Sequence, residues 1–392
     1  MGIDLLGKKN KIEIPFKYTQ GFIVVDIEID KTLPLKFIFD TGAEHTIMFH
    51  KIMADLIDMN YTKRIRILGS DISEDVHALI ARNIYLDLKE GVTVKRDILV
   101  LENEISKLRE AIGEEISGIL GTSLFKGMVL SIDYRKNKII ITHPQHFEPP
   151  KEGSGYIDFD LDVVQNKAYL KTPVTLQNGN TISSTLLLDT GAAIPLLIHT
   201  NTDSSLVLPD FVIDGRLGYG LGGPIKGFLG KVRRINLKDY NFDFVLTSFQ
   251  DIDLENIGTD IIRNGILGNK LLSRFYVTID YFSKKLYLKS RKKYNENFKY
   301  DLSGLEIIAL GKDFRSFEVK NVLKDSPADE AGIKQGDKIK KIGLFKSKFY
   351  SLEKITKKLE SKPGKRIKMK IERDGEIMSK KFYLRDLFIK KS

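Results

Sequence analysis

Two stretches of this chain repeat one phrase: Phe37-Ile38-Phe39-Asp40-Thr41-Gly42-Ala43 and Leu186-Leu187-Leu188-Asp189-Thr190-Gly191-Ala192. Each runs three large apolar residues straight into an aspartate. The repetition extends beyond the phrase. Ile119-Leu120-Gly121 returns as Ile266-Leu267-Gly268, and Ser131-Ile132-Asp133-Tyr134 as Thr278-Ile279-Asp280-Tyr281, both 147 residues later, against 149 for the aspartates. Three landmarks in one order at nearly one offset mark a duplicated unit, residues 12–144 and 156–289. The fold must therefore be one that a single unit builds twice.

Each unit reads as strand. Residues 22–29 begin apolar and then alternate, as a half-buried strand does. Residues 31–34 supply a turn, and 35–39 form a short apolar strand ending at Asp40. In the second unit residues 169–176 are strand-like, Asn178-Gly179 marks a hairpin turn, and another strand leads into Asp189. Both units close with an apolar strand and a polar hairpin, at 128–133 and at 275–280. Helical patterning is short, at 106–112 and 269–272. Residues 145–155 and 290–299, polar and in the first case rich in Pro and Gly, read as linkers.

Composition narrows the chemistry. The chain has 392 residues, 42% hydrophobic, and no cysteine, so neither disulfides nor thiolate chemistry is available. No apolar run approaches the roughly 20 residues of a membrane span. The N-terminus lacks a basic segment followed by a long apolar one, so no signal peptide is read in it and the compartment is left open. The net charge is +11, and residues 301–392 hold 24 Lys and Arg against 14 Asp and Glu. No aromatic-basic RNA-binding pattern accompanies that excess, which reads as a solvated basic surface with no nucleic-acid partner. The histidine pair His143 and His146 sits in a linker, and no metal or cofactor is expected.

Two identical acids from two equivalent units suit peptide-bond hydrolysis by a carboxylate pair. Two carboxylates held close cannot both ionise and so share one proton. The charged member can activate a water while the protonated one hydrogen-bonds the carbonyl oxygen. Gly42 and Gly191 would let the backbone turn beside each acid, and Thr41 and Thr190 can bond across a pseudo-twofold axis. The chain resembles the retropepsin-like aspartic proteases in the arrangement with two lobes fused. The apolar-apolar-Asp-Thr-Gly-Ala elements and the later Ile-Leu-Gly elements carry that resemblance over about three quarters of the sequence.

The resemblance implies a mainly β fold of two tandem retropepsin-like barrel lobes, and an aspartic-type endopeptidase with Asp40 and Asp189 catalytic. Thr41, Gly42, Ala43, Thr190, Gly191 and Ala192 would support them. A monomer would suffice, acting on a protein or peptide substrate. Ala43 and Ala192 offer no hydroxyl to the carboxylates, which implies a pH optimum milder than that of pepsins. The resemblance also implies a covering hairpin, placed at Gly218, Tyr219, Gly220, Leu221 and Gly222. Its first-unit counterpart, Leu68-Gly69-Ser70-Asp71, is shorter. Gly218, Gly220 and Gly223 also match a dinucleotide-binding glycine pattern, but a helix should follow it and Pro224 stands there instead.

Residues 322–337 contain Ser326-Pro327-Ala328, Ala331-Gly332-Ile333 and Gly336-Asp337, a run that resembles a circularly permuted bacterial PDZ domain over 300–390. The resemblance implies a groove that takes a peptide C-terminus as an added strand. Its carboxylate loop would include Gly304, Leu305, Glu306 and Ile307. Chains of this combined kind are often bacterial and extracytoplasmic. The alternative reading is a peptide-binding or scaffolding protein whose protease fold has lost activity.

Overall fold

The computed structural model describes residues 9–67, 76–88, 92–103, 105–253 and 261–389. It is mainly β, in four sheets, with short helices. Two of the sheets have eight strands each and the same plan. In the first, the order is Lys17–Thr19, Phe22–Ile29, Leu33–Phe39, Gly118–Leu120, Ile47–Met48, Thr93–Leu101, Val76–Asp87 and Tyr61–Ile67. In the second it is Asp162–Val164, Lys167–Thr175, Thr181–Asp189, Gly265–Gly268, Leu196–His199, Tyr240–Gln250, Gly223–Leu237 and Ile213–Gly220. Each sheet also folds back on itself, through pairing of Phe22–Ile29 with Val76–Asp87 and of Lys167–Thr175 with Gly223–Leu237.

The apolar triplets before the aspartates are interior strands. Phe37, Ile38 and Phe39 are all buried, because Leu33–Phe39 has neighbours on both edges and packing on both faces. A strand so placed reads as a continuous apolar run rather than an alternation. Parallel pairing of Phe37 with Gly118 and of Leu186 with Gly265 then sets each Ile-Leu-Gly element beside its aspartate strand.

A six-stranded sheet joins the copies. Its central strands, Val129–Asp133 and Phe275–Asp280, are the repeated elements themselves, antiparallel with Leu130 opposite Ile279. Ser131 Oγ and Thr278 Oγ1 meet across that pair at 2.8 Å. Asp133 and Asp280 accept from the two amides of the turn that follows each, which makes them structural turn acids. Phe37, Ile132, Leu188 and Val277 belong to one continuous core, so the copies are not separately cored. Tyr294 and Phe298 pack against it, which ties down a segment that reads as a polar linker.

The C-terminal residues have their own sheet and core. The strand order is Leu305–Leu310, Ser316–Val322, Lys338–Ile342, Arg366–Arg373 and Glu376–Tyr383, with Phe345–Lys346 on Lys338–Ile342. Ser351 caps the helix Leu352–Leu359, which buries Leu352, Ile355 and Leu359 on one face. The Gly-Asp dipeptide of the sequence motif has a structural reason. Asp337 is fully buried and holds Arg373 through two bonds of 2.7 and 2.8 Å. Among the described residues no helix is long and apolar enough to cross a membrane.

Candidate functional site

Each aspartate lies where its strand ends and the chain turns sharply. Oδ1 of Asp40 accepts from the amides of Gly42 at 2.7 Å and Ala43 at 3.0 Å. Oδ1 of Asp189 accepts from Gly191 and Ala192 at the same distances. One oxygen of each carboxylate is thereby anchored by its own loop, and the other is left for its counterpart and for a ligand.

The two loops lock together through the threonines. Thr41 N donates to Thr190 Oγ1 and Thr190 N to Thr41 Oγ1, both at 3.0 Å. Each hydroxyl donates in turn to the opposite strand, Thr41 to the carbonyl of Leu188 and Thr190 to that of Phe39, both at 2.8 Å. Both threonines are fully buried, so every one of these bonds lies away from water. The glycines are required by close approach. A Cβ on Gly42 would collide with the carboxylate of Asp189, and one on Gly191 with that of Asp40.

This contact fixes the electrostatics. Burial pushes the carboxyl of Asp40 well above the ordinary carboxylate range, and the charge of Asp189 adds to the push. Burial raises Asp189 too, but the hydrogen bond with Asp40 and the Arg263 guanidinium oppose it. Both members are held above the ordinary carboxylate range, so the two share a proton rather than ionise together. Such a pair can donate through one member and accept through the other at once.

The pair lines a cleft of about 600 Å³. The strands Ile213–Gly220 and Gly223–Leu237 form a hairpin whose inner positions Gly218, Tyr219, Gly220 and Leu221 line it as well, while Gly222 completes the turn without lining it. Strand, turn and strand here replace the strand-to-helix step that a dinucleotide site needs. The first-unit counterpart, residues 68–71, lies outside the described residues. His45 lines the cleft with a well-exposed side chain. No serine is among the described lining residues.

Three lining residues escape a reading by motif: Lys167, His199 and Arg263. None lies in a repeated phrase, and each is basic where the other unit is apolar. Tyr281, the last residue of its repeated phrase, is buried near Asp40, and its hydroxyl has no hydrogen-bond partner among the described residues.

The predicted carboxylate loop of the C-terminal unit is filled from within. Asp301 Oδ1 accepts from the amides of Ser303, Gly304 and Leu305 at 2.9, 2.6 and 3.2 Å, and the Ser303 hydroxyl also bonds its carboxylate. Glu306 is engaged by the hairpin, Tyr219 Oη donating to its Oε1 at 2.7 Å. Ile307 packs against the core of the C-terminal unit. The helix Ser106–Ile112 touches both Leu305–Leu310 and the hairpin. A Cβ on Gly113, just past that helix, would press on Leu352 and Ala309.

No family model matches this chain. It is 31% identical over 128 residues to a protein of Staphylococcus saprophyticus named a probable CtpA-like serine protease. The match covers 33% of this chain and 24% of that relative. This overturns the expected membership in the retropepsin-like aspartic proteases, and with it the aspartic-type endopeptidase. The relative is named a serine protease, and a two-loop motif fixes the placement of carboxylates without fixing the reaction they take part in.

Proposed function

We propose that this chain is a peptidase that binds an extended peptide across the cleft, with Asp40 and Asp189 as the residues touching the bond at its centre. Two repeats, residues 12–144 and 156–289, build the cleft, and a PDZ-like unit, residues 300–390, packs against its covering hairpin. Thr41, Gly42, Ala43, Thr190, Gly191 and Ala192 hold the pair, and residues 218–222 cover the peptide.

One observation carries this reading. Two buried carboxylates, each approached by the glycine of the opposite loop and each raised by burial, line a cleft of about 600 Å³. Such a pair costs stability and is typical of sites that handle protons. The similarity to a protein named a protease supports the substrate class. Strand order and the placement of the Leu352–Leu359 helix support the PDZ-like reading. Because Asp301 fills its loop, that unit takes no free C-terminus until Asp301 is displaced, and its edge strand Leu305–Leu310 is the docking edge.

Incubation of the full chain with a randomised peptide pool, read by mass spectrometry, tests the proposal. Defined cleavage products that vanish with Asp40→Asn and with Asp189→Asn are expected. Intact peptides at every pH from 4 to 8 would overturn the peptidase reading, and cleavage indifferent to both variants would overturn the site.

A further inference from the structure

The duplication supplies an internal control for the cleft. Pairing of Leu170 with Leu186 matches that of Val25 with Phe37, which sets Lys167 where the first unit has Phe22. The His199 amide bonds the carbonyl of Asn264, and the Phe49 amide bonds that of Ser117, both at 2.8 Å, so His199 corresponds to Phe49. Asn264 and Ser117 likewise donate to Thr185 and Lys36, which sets Arg263 opposite Ile116. Phenylalanine, phenylalanine and isoleucine in one unit are thus lysine, histidine and arginine in the other. The scaffold needs apolar groups at these places, or tolerates them. The basic set is an addition on one side of the cleft.

The Arg263 guanidinium acts on both of the other basic residues, and among the described residues the His199 ring nitrogens and Arg263 Nε are buried without a hydrogen-bond partner. Burial lowers Lys167, and the Arg263 guanidinium lowers it further, against attraction from Glu44 and the aspartate pair. Burial and Arg263 together push His199 down to about 3, so its ring is neutral. His199 is 2% exposed, and neither ring nitrogen has a hydrogen-bond partner among the described residues, although the Gln250 backbone favours the protonated ring. Arg263 Nε is also buried without one. Buried donors left unpaired in a cleft are costly and call for a ligand group that satisfies them. Glu44 and the aspartate pair act on Lys167, and Arg263 acts on Asp189, while Arg263 and His199 both line the cleft.

We propose that Lys167, His199 and Arg263 form a subsite that receives a carboxylate of the bound peptide, making the cleft selective for acidic substrates. This rests on the peptidase reading and names its substrate class. A planar guanidinium accepts a carboxylate through two parallel bonds, and the neutral imidazole adds a third donor. The carboxylate is either an Asp or Glu side chain near the cleaved bond or the C-terminus of the peptide. The same asymmetry orients the peptide, since of the matching first-unit residues only the apolar Phe22 lines the cleft.

The test uses the full chain and a peptide pool with Glu, Gln, Asp, Asn or Leu fixed at one position in turn, each made with a free and with an amidated C-terminus. The inference expects about tenfold or more faster cleavage of the acid than of its isosteric amide at one position, or of the free over the amidated terminus. The two arms separate the sources. Arg263→Ile, Lys167→Phe and His199→Phe, which copy the first unit, should shrink that ratio to about twofold or less, with unchanged thermal melting as the control for folding. Arg263→Lys should restore part of it. Equal rates for acid and amide at all positions and termini, or a ratio that survives Arg263→Ile, would overturn the subsite. If no peptide is cleaved, the peptidase reading fails alone. Retention of the same pools by the Asp40→Asn chain then decides the subsite: acid-selective retention supports it, and equal retention overturns it.

Discussion

Gly42 cannot gain a methyl group without striking the carboxylate of Asp189, and Gly191 stands in the same relation to Asp40. Gly42→Ala should therefore cost about 1–3 kcal/mol of stability and abolish cleavage, whereas alanine at the exposed turn residue Gly179 should spare cleavage. Thermal melting and peptide cleavage read the two effects. Asp301 makes a different prediction. Burial holds its carboxyl up at about 6 despite the amides that donate to it. A folded pKa above the unfolded value means extra proton binding by the folded state between about 4 and 6. Its contribution is therefore fully present below about 4 and is lost as pH rises through 6. Asp301→Asn should remove that dependence, gaining on the order of 2 kcal/mol relative to wild type between pH 4 and pH 7 in urea unfolding. At this scale the sequence was legible where a motif spelled out a turn. Asp40 and Asp189 each accept from the two amides that close the turn of their own phrase. Lys167, His199 and Arg263 were illegible because they are 96 residues apart in sequence and belong to no phrase. Only alignment of the two units by strand register brings them together.

The hairpin is the element that couples parts of the molecule. Its Tyr219 hydroxyl reaches Glu306, and the Ser106–Ile112 helix touches both partners. Tyr219→Phe removes one bond to a carboxylate in a half-buried place, worth about 1–2 kcal/mol. Amide hydrogen exchange over residues 213–237 should quicken in that variant while exchange in the Leu352–Leu359 helix stays as it was. Unchanged hairpin exchange would mean that the bond does not hold the hairpin. The strands were readable from their periodicity, and Phe22–Ile29 and Phe275–Asp280 fall at the expected residues. The resemblance implied a hairpin at residues 218–222 but named no partner for it. A contact 87 residues away, between an aromatic tip and a loop expected to hold a peptide carboxylate, leaves no mark in either local pattern.

At the scale of the whole molecule, duplication does what neither unit can do alone. One core runs through both repeats and the sheet between them, so the two aspartates are held by a shared interior. The C-terminal unit keeps a separate core and meets the rest at the hairpin and the Ser106–Ile112 helix. The duplicated landmarks announced this plan in the sequence. The reaction class was not announced, because loops that fix carboxylates do not by themselves name a reaction, and the family expected from them gave way to similarity with a protein named a serine protease. The central claim is that peptide is bound and cleaved in the cleft that Asp40 and Asp189 line. Cleavage rates of a randomised peptide pool by wild type, Asp40→Asn and Asp189→Asn test it most directly. A loss of about a thousandfold or more in both variants, with folding intact, is the predicted result. Wild-type rates in either variant would contradict it.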